Sequence, residues 1–238
     1  MPAAFGFLWA VALLYHQVAY RVAFASTVDA GLTLAGLWAL LRPTSAPRLA
    51  LLAAFNVAAV ARDLPSALNH WYFASLVSLG LLVAIAVDWW RSRRTGPAEP
   101  TRTHAAFAPT GRACLLLLYA LSGFHKLNHD FLDPAVSCGP KLYASLAQRS
   151  WLPAAGAPVE AAAIAGTLLV ELGLPLLLLI PRTRLAGVLI AVPFHVALGL
   201  AGYPRFSTLC LALLVLFLPP PTTAVSYTHL TLPTNREV

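Results

Sequence analysis

The sequence is poor in charged residues. Only 11% of its 238 residues are Asp, Glu, Lys or Arg, whereas 59% are hydrophobic. A water-soluble domain carries about 25% charged and about 45–50% apolar residues. The composition therefore argues strongly against a soluble globular protein and against an intrinsically disordered chain. Because so little polar surface is available for a basic groove, the net charge of +7 does not indicate a nucleic-acid partner.

Cysteine and the common catalytic signatures are also scarce. Cys114, Cys138 and Cys210 are too few for a disulfide framework. The sequence has no glycine loop of the kind that holds phosphates, no nucleophile elbow and no CxxC motif. Candidate chemistry must therefore be sought in isolated polar side chains.

The apolar residues form long runs. The hydrocarbon core of a bilayer is about 30 Å thick, and a helix needs roughly 20 apolar residues to cross it. The sequence predicts an all-α polytopic transmembrane helix bundle of about eight helices, with seven as the lower bound. The eight segments, of which the third and the last are short, are 3–20, 22–41, 48–64, 66–90, 110–127, 158–180, 184–202 and 203–218.

The basic residues indicate an orientation for these helices. If the N-terminus is cytoplasmic, nine arginines fall in inner loops and six lysines or arginines fall in outer loops. Cytoplasmic loops carry an excess of Lys and Arg, so we predict a multi-pass protein of a bacterial inner membrane with a cytoplasmic N-terminus. Trp89 and Trp90, just before the most basic loop, are typical of the aromatic belt at a membrane interface.

Two loops differ from the apolar segments in composition. Residues 91–109 are rich in proline and arginine, and we expect a basic, flexible cytoplasmic loop that joins the helical groups 1–90 and 110–218. The outer loop, 128–157, is long for a simple connection. Loops of that length are often functional or carry short helices of their own.

The end of the chain differs in character from the rest. Residues 226–238 (SYTHLTLPTNREV) are polar and threonine-rich, and they follow prolines at 219–221. We interpret them as translated sequencing-adapter read-through or a disordered tail, and leave them out of the fold. The transmembrane domain is therefore taken as residues 1–225.

Ionisable side chains within the apolar segments are the first candidates for chemistry, because a charge at the centre of such a helix costs about 2.5–3.5 kcal/mol on insertion scales. Asp29, Glu171 and His195 lie in the second, sixth and seventh segments. Glu171 either pairs with a basic group across the bundle, packs as a neutral or hydrogen-bonded carboxyl, or takes part in catalysis. His195 either bonds to a neighbouring helix or lines a site, and Asp29 either binds a ligand or is structural.

The densest polar group is FHKLNHDFLD, residues 124–133. If the helix continues through it, His125 and His129 lie four residues apart on one face and could share a metal ion with Asp130. Two histidines are few ligands and the adjacent lysine repels a cation, so no metal is predicted; an interfacial helix end is the alternative. Lys126 is either an anchor paired with Asp130 or a general base for a weak acid such as a hydroquinone.

Two runs of the sequence resemble a known family. YALSGFHKLNHDFLDPAVSCG, residues 119–139, resembles the segment around the essential lysine of vitamin K-dependent γ-carboxylases and their bacterial relatives with an HTTM domain. Residues 176–219 are similar to the closing helices of HTTM proteins. A DoxX-like family is the weaker rival, since it shares a lysine at a helix end and a glutamate-containing helix before an arginine turn.

The resemblance implies a multi-helix membrane domain in which Lys126 deprotonates vitamin K hydroquinone. The deprotonated hydroquinone reacts with O₂, and the resulting strong base removes a glutamate γ-proton before CO₂ is added. The carboxylases carry one lysine more in this segment, where the present chain has His125, so HTTM membership is expected more strongly than peptide carboxylation. The candidate catalytic residues are Lys126, His195 and Glu171. The candidate residues for binding a quinone or hydroquinone are His125, His129 and Asp29.

Three functions follow as alternatives. The first is a quinone-linked or carboxylase-like enzyme with Lys126 as its base at the periplasmic face. The second is a non-catalytic DoxX-like subunit of a redox system, bound to a membrane or periplasmic protein. The third is a small transporter or proton path through Asp29, Glu171 and His195. All three place the chain in a lipid bilayer.

Overall fold

The computed structural model describes residues 3–20, 24–95, 100–154 and 156–219, which form helices and turns without a β-strand. The prediction of an all-helical chain is confirmed for this part of the sequence, and the end 226–238 lies outside it. The helices are α1 (Ala3–Tyr20), α2 (Thr27–Leu41), α3 (Ala46–Arg62), α4 (Asn69–Thr95), α5 (Pro100–His125), α6 (His129–Leu132), α7 (Cys138–Ala147), α8 (Ala157–Leu179), α9 (Arg184–Leu200) and α10 (Pro204–Leu214), followed by a 3₁₀ turn, Val215–Phe217.

Eight of these helices form a closed ring. Each of α1 to α5 packs against the next, α5 packs against α8, and α8, α9 and α10 follow in order until α10 returns to α1. The short helix α7 packs on α8 and α9. Ring closure buries one continuous core around Phe5, Trp9, Trp71, Phe107 and Leu115.

The ring has two ends that differ in charge. Consecutive ring helices run in opposite directions, so the C-terminal ends of α1, α3, α5 and α9 come together at what we call the Lys126 end. The opposite end, which we call the arginine end, carries Arg112, Arg184 and the arginines that follow Trp90. Each apolar segment found in the sequence lies on one ring helix.

Three helices are long and apolar enough to cross a membrane: Asn69–Arg94, Thr101–His125 and Ala157–Leu179. Four shorter helices are also apolar. The outward faces of the long helices and of α9 carry large aliphatic side chains that are 60–74% exposed, among them Leu76, Val83, Leu117, Leu169 and Leu189. Exposed apolar faces of this extent are typical of contact with a membrane or with another protein.

Most of the segment expected to be a flexible loop, 91–109, is helical. The helix α4 runs to Thr95, and α5 begins at Pro100. A proline is tolerated there because the first residues of a helix have no partner for their N–H groups. The two helix ends are also tied together, since the buried carboxylate of Asp88 accepts a hydrogen bond of 2.5 Å from Thr103. Two of the polar residues that suggested a loop, Arg102 and Thr103, therefore contact Asp88 on α4.

Candidate functional site

Lys126 and Glu171 meet where α5 ends beside α8. Nζ of Lys126 lies 2.6 Å from Oε2 of Glu171, an ion pair between residues 45 positions apart. Ser122, one helical turn earlier, donates a hydrogen bond of 2.9 Å to the same carboxylate oxygen and accepts one of 2.7 Å from Nζ. We call Ser122, Lys126 and Glu171 the Lys126 triad. Pairing across the bundle is therefore the arrangement adopted by Glu171.

A glycine allows α5 and α8 to approach closely enough for this contact. A Cβ atom at Gly123 would lie 2.7 Å from Cδ2 of Leu172 and 3.3 Å from the backbone carbonyl carbon of Glu171. A side chain at this position would require Leu172 to turn away and the backbone of α8 to move by a few tenths of an ångström. Gly123 is thus a positioning residue for the triad.

The triad is largely removed from water but reaches the surface at Lys126. The side chains of Lys126 and Glu171 are 22% and 10% exposed. At such burial the attraction between the two charges is stronger than at an open surface. The ring of Phe131 lies 5.8 Å from Nζ and adds an aromatic wall. Asp130, the partner suggested by its closeness in sequence, is 93% exposed and lies 4.0 Å from His129 instead.

His195 occupies a separate position in the core. It is fully buried, and its Nε2 atom lies 2.6 Å from the hydroxyl oxygen of Tyr119 on α5. The rings of Phe194 and Phe206 surround it, with centroids 5.4 and 5.8 Å away. Tyr119 precedes Lys126 by seven residues, which is about 10 Å along the helix axis. His195 is therefore bonded to a neighbouring helix on the same face of α5 as the triad, about two turns away.

His125 and His129 do not share a helical face. The helix α5 ends at His125, and Asn128 begins α6 by accepting a hydrogen bond of 2.9 Å from the N–H of Phe131. The helix therefore breaks within 124–133, and both histidines are exposed. Within the described ranges, no group of three or more His, Cys, Asp or Glu side chains is placed to hold a metal ion.

Asp29 belongs to a second polar cluster, formed by α1, α2 and α3. Arg62 contacts its two carboxylate oxygens at 2.8 and 3.1 Å. Gln17 and Ser26 donate to the same carboxylate at 3.0 and 2.6 Å. The structure thus brings Lys126 and Glu171 together and places Asp29 in a different set of helices.

Two side-chain contacts at these positions are not indicated by the sequence, those of Ser122 and Tyr119. Tyr119, Ser122 and Lys126 are spaced three and then four residues apart, which places them on one face of a helix. The spacing can be read from the sequence, but it indicates a site only when Glu171 on α8 and His195 on α9 are known to face these residues.

No family model, no curated protein and no solved structure matches the chain. The resemblance to HTTM-domain proteins therefore stays a prediction, and the geometry of the triad is the basis for assigning a function.

Proposed function

We propose that this chain is an HTTM-type membrane protein whose eight ring helices span a bacterial inner membrane. Support comes from the three helices with the length and hydropathy of a span, from four shorter apolar helices, and from the exposed aliphatic faces. The arginine end lies in the cytoplasm and the Lys126 end at the periplasmic face, in keeping with the charge bias of loops. Trp89 and Trp90 suit an interface, since the guanidinium groups of Arg93 and Arg94 stack on them at 3.7 and 4.4 Å.

Thiol labelling tests this orientation. Cys138 is exposed near the Lys126 end, so a membrane-impermeant maleimide should label it in intact spheroplasts. A cysteine introduced at the other end by Arg94→Cys should add a second label only after the cells are opened. Labelling of the introduced cysteine in intact spheroplasts would contradict the orientation.

The triad removes a proton from a hydroquinone at the periplasmic face. The observation that carries this proposal is the 2.6 Å contact between Lys126 and Glu171, with Ser122 bonded to both. Across such a contact a proton can pass from the ammonium to the carboxylate, which leaves an amine beside a neutral acid. In the proposed reaction this transfer leaves the amine of Lys126 as the base that accepts the substrate proton.

Each proton of the proposed step is held by the triad or by its substrate. The amine of Lys126 takes the proton of a substrate hydroxyl and becomes an ammonium, while the substrate becomes a phenolate. The proton that Lys126 gave up earlier is held on Glu171. The ammonium then stabilises the phenolate.

Hydroquinone-dependent oxygen consumption by the purified protein in nanodiscs tests this function. We expect Lys126→Ala to abolish turnover, and Glu171→Gln to lower it by about 10²–10⁴-fold, the usual worth of a general acid or base. Lys141→Ala is the matched control, because Lys141 is exposed and donates to the backbone oxygen of Val136. Circular dichroism should show the same helix content for all variants. Wild-type turnover in Lys126→Ala would refute the proposal.

A second candidate is a non-catalytic DoxX-like subunit of a redox system. It is favoured because the polar groups of the triad form their hydrogen bonds and their ion pair with one another, as in a purely structural ion pair. It is also favoured because the lysine at a helix end and the glutamate of a later helix are the features shared with that family. A stable partner that co-purifies equally with wild type and Lys126→Ala would support this candidate over the enzyme.

A further inference from the structure

An apolar cavity of about 200 Å³ opens between α8 and α9. Leu174, which is 1% exposed, forms its floor, whereas Leu169 and Ile190 at its rim are 74% and 42% exposed. The cavity is therefore reached from the outside of the ring, from the surface that lies in the hydrocarbon of the bilayer. Its lining is completed by Val170, Gly173 and Leu177.

Gly173 contributes to the depth of this cavity. A Cβ atom built on Gly173 meets no atom within 4 Å, so the space above the glycine is open. Gly166, seven residues earlier on the same helix, has equally open surroundings but does not line the cavity. The two glycines therefore offer a matched pair of positions for filling experiments.

A cluster of arginines lies at the end of the same hairpin. Nε of Arg184 donates to the carbonyl oxygen of Leu178 at 3.1 Å, and Nε of Arg112 donates to that of Leu216 at 2.7 Å. The charges of Arg112 and Arg184 are close enough to interact, and Arg182 is exposed in the turn between α8 and α9. Within the part of the chain that the structure describes, none of the three forms an ion pair with a carboxylate. Like charges gathered without a counter-ion favour an anionic ligand.

The arginines and the apolar cavity follow one another along the hairpin as the headgroup and the acyl chain do in a phospholipid. The lining of α8 runs from Leu177 to Leu169, about 12 Å along the helix, and it begins within two turns of Arg182. We propose that the α8–α9 hairpin binds one anionic phospholipid, with its phosphate at Arg112, Arg182 and Arg184 and one acyl chain in the cavity. This site rests on the membrane location in the proposed function and not on the chemistry of the triad.

Native mass spectrometry of the full chain, titrated with phosphatidylglycerol in detergent, tests the site. We expect one tightly held phosphatidylglycerol in the wild type. Filling the cavity by Gly173→Leu, or removing a charge by Arg182→Gln, should weaken its binding at least tenfold. Gly166→Leu should bind like the wild type. Leucine is a better helix former than glycine, so neither glycine variant threatens the helix itself.

Two further ligands test the need for a negative headgroup and the need for an acyl chain separately. Phosphatidylcholine, whose charge is balanced, should bind at least tenfold more weakly, and soluble glycerol phosphate should not compete. Equal phosphatidylglycerol binding by wild type, Gly173→Leu and Arg182→Gln would overturn the site, as would full competition by glycerol phosphate. Lys126→Ala should leave lipid binding unchanged, so a failure of the triad chemistry and a failure of the lipid site give different results. Release of the protein from membranes by alkaline carbonate would instead contradict the membrane location.

Discussion

Replacing Lys126 by methionine leaves the carboxylate of Glu171 without its counter-ion. The Glu171 side chain is only 10% exposed, so water cannot fully replace the lost ammonium. Removal of one partner of a buried ion pair costs about 3–5 kcal/mol. Because Ser122 still donates to the carboxylate and the site lies near the surface, we expect a loss at the lower end, about 3 kcal/mol in the free energy of unfolding. Unfolding by sodium dodecyl sulfate in mixed micelles, followed by circular dichroism, measures it.

A double-mutant cycle and a control variant isolate the pair. The double variant Lys126→Met/Glu171→Gln removes both charges, so it should recover about 2 kcal/mol of the loss. The control Lys141→Met removes an exposed lysine and should change the stability by less than about 0.5 kcal/mol. If Lys126→Met is no more damaging than the control, or if the double variant is less stable than the single one, the ion pair does not exist as described.

Three further substitutions are tested by the same unfolding measurement. Tyr119→Phe leaves Nε2 of the fully buried His195 without its partner and should cost about 1–3 kcal/mol; no loss would mean that the hydrogen bond is absent. Gly123→Ala places a methyl group 2.7 Å from Leu172 and should cost about 1–3 kcal/mol and reduce turnover; a fully active, stable variant would contradict the role of the glycine. Asp29→Asn removes the charge facing an arginine side chain that is 34% exposed, so we expect about 1–2 kcal/mol, and a gain in stability would count against that pair.

The ring helices could be predicted from the sequence because the length of an apolar run is a local property. Each predicted segment lies on a described helix, and the ends shifted by only a few residues in most cases. The second helix, for example, begins at Thr27 instead of 22, since Ser26 accepts a hydrogen bond of 3.2 Å from the N–H of Asp29. The loop predicted at 91–109 is instead mostly helical, and the contacts of Arg102 and Thr103 with Asp88 on the neighbouring helix cannot be seen in its composition.

The candidate site could be predicted only in part, because its contacts depend on the order of helices in the ring. Lys126 and Glu171 were each recognised as unusual, but closeness in sequence favoured Asp130 as the partner of the lysine. The ring order sets α8 beside α5 and leaves Asp130 at the surface. The break in the helix at Asn128, which separates the two histidines, likewise depends on a cap that the spacing of His125 and His129 does not reveal.

The ionisation state of a bound naphthohydroquinone tests the role of the triad most directly. Its anion absorbs at longer wavelength than its neutral form, so the spectrum of the anaerobic complex at pH 7 reports whether the hydroxyl has lost its proton. We predict the spectrum of the anion with the wild-type protein, the neutral form with Lys126→Met, and the anion with the control Lys141→Met. A neutral hydroquinone on the wild type, or an anion that persists in Lys126→Met, would contradict the assignment of Lys126 as the base.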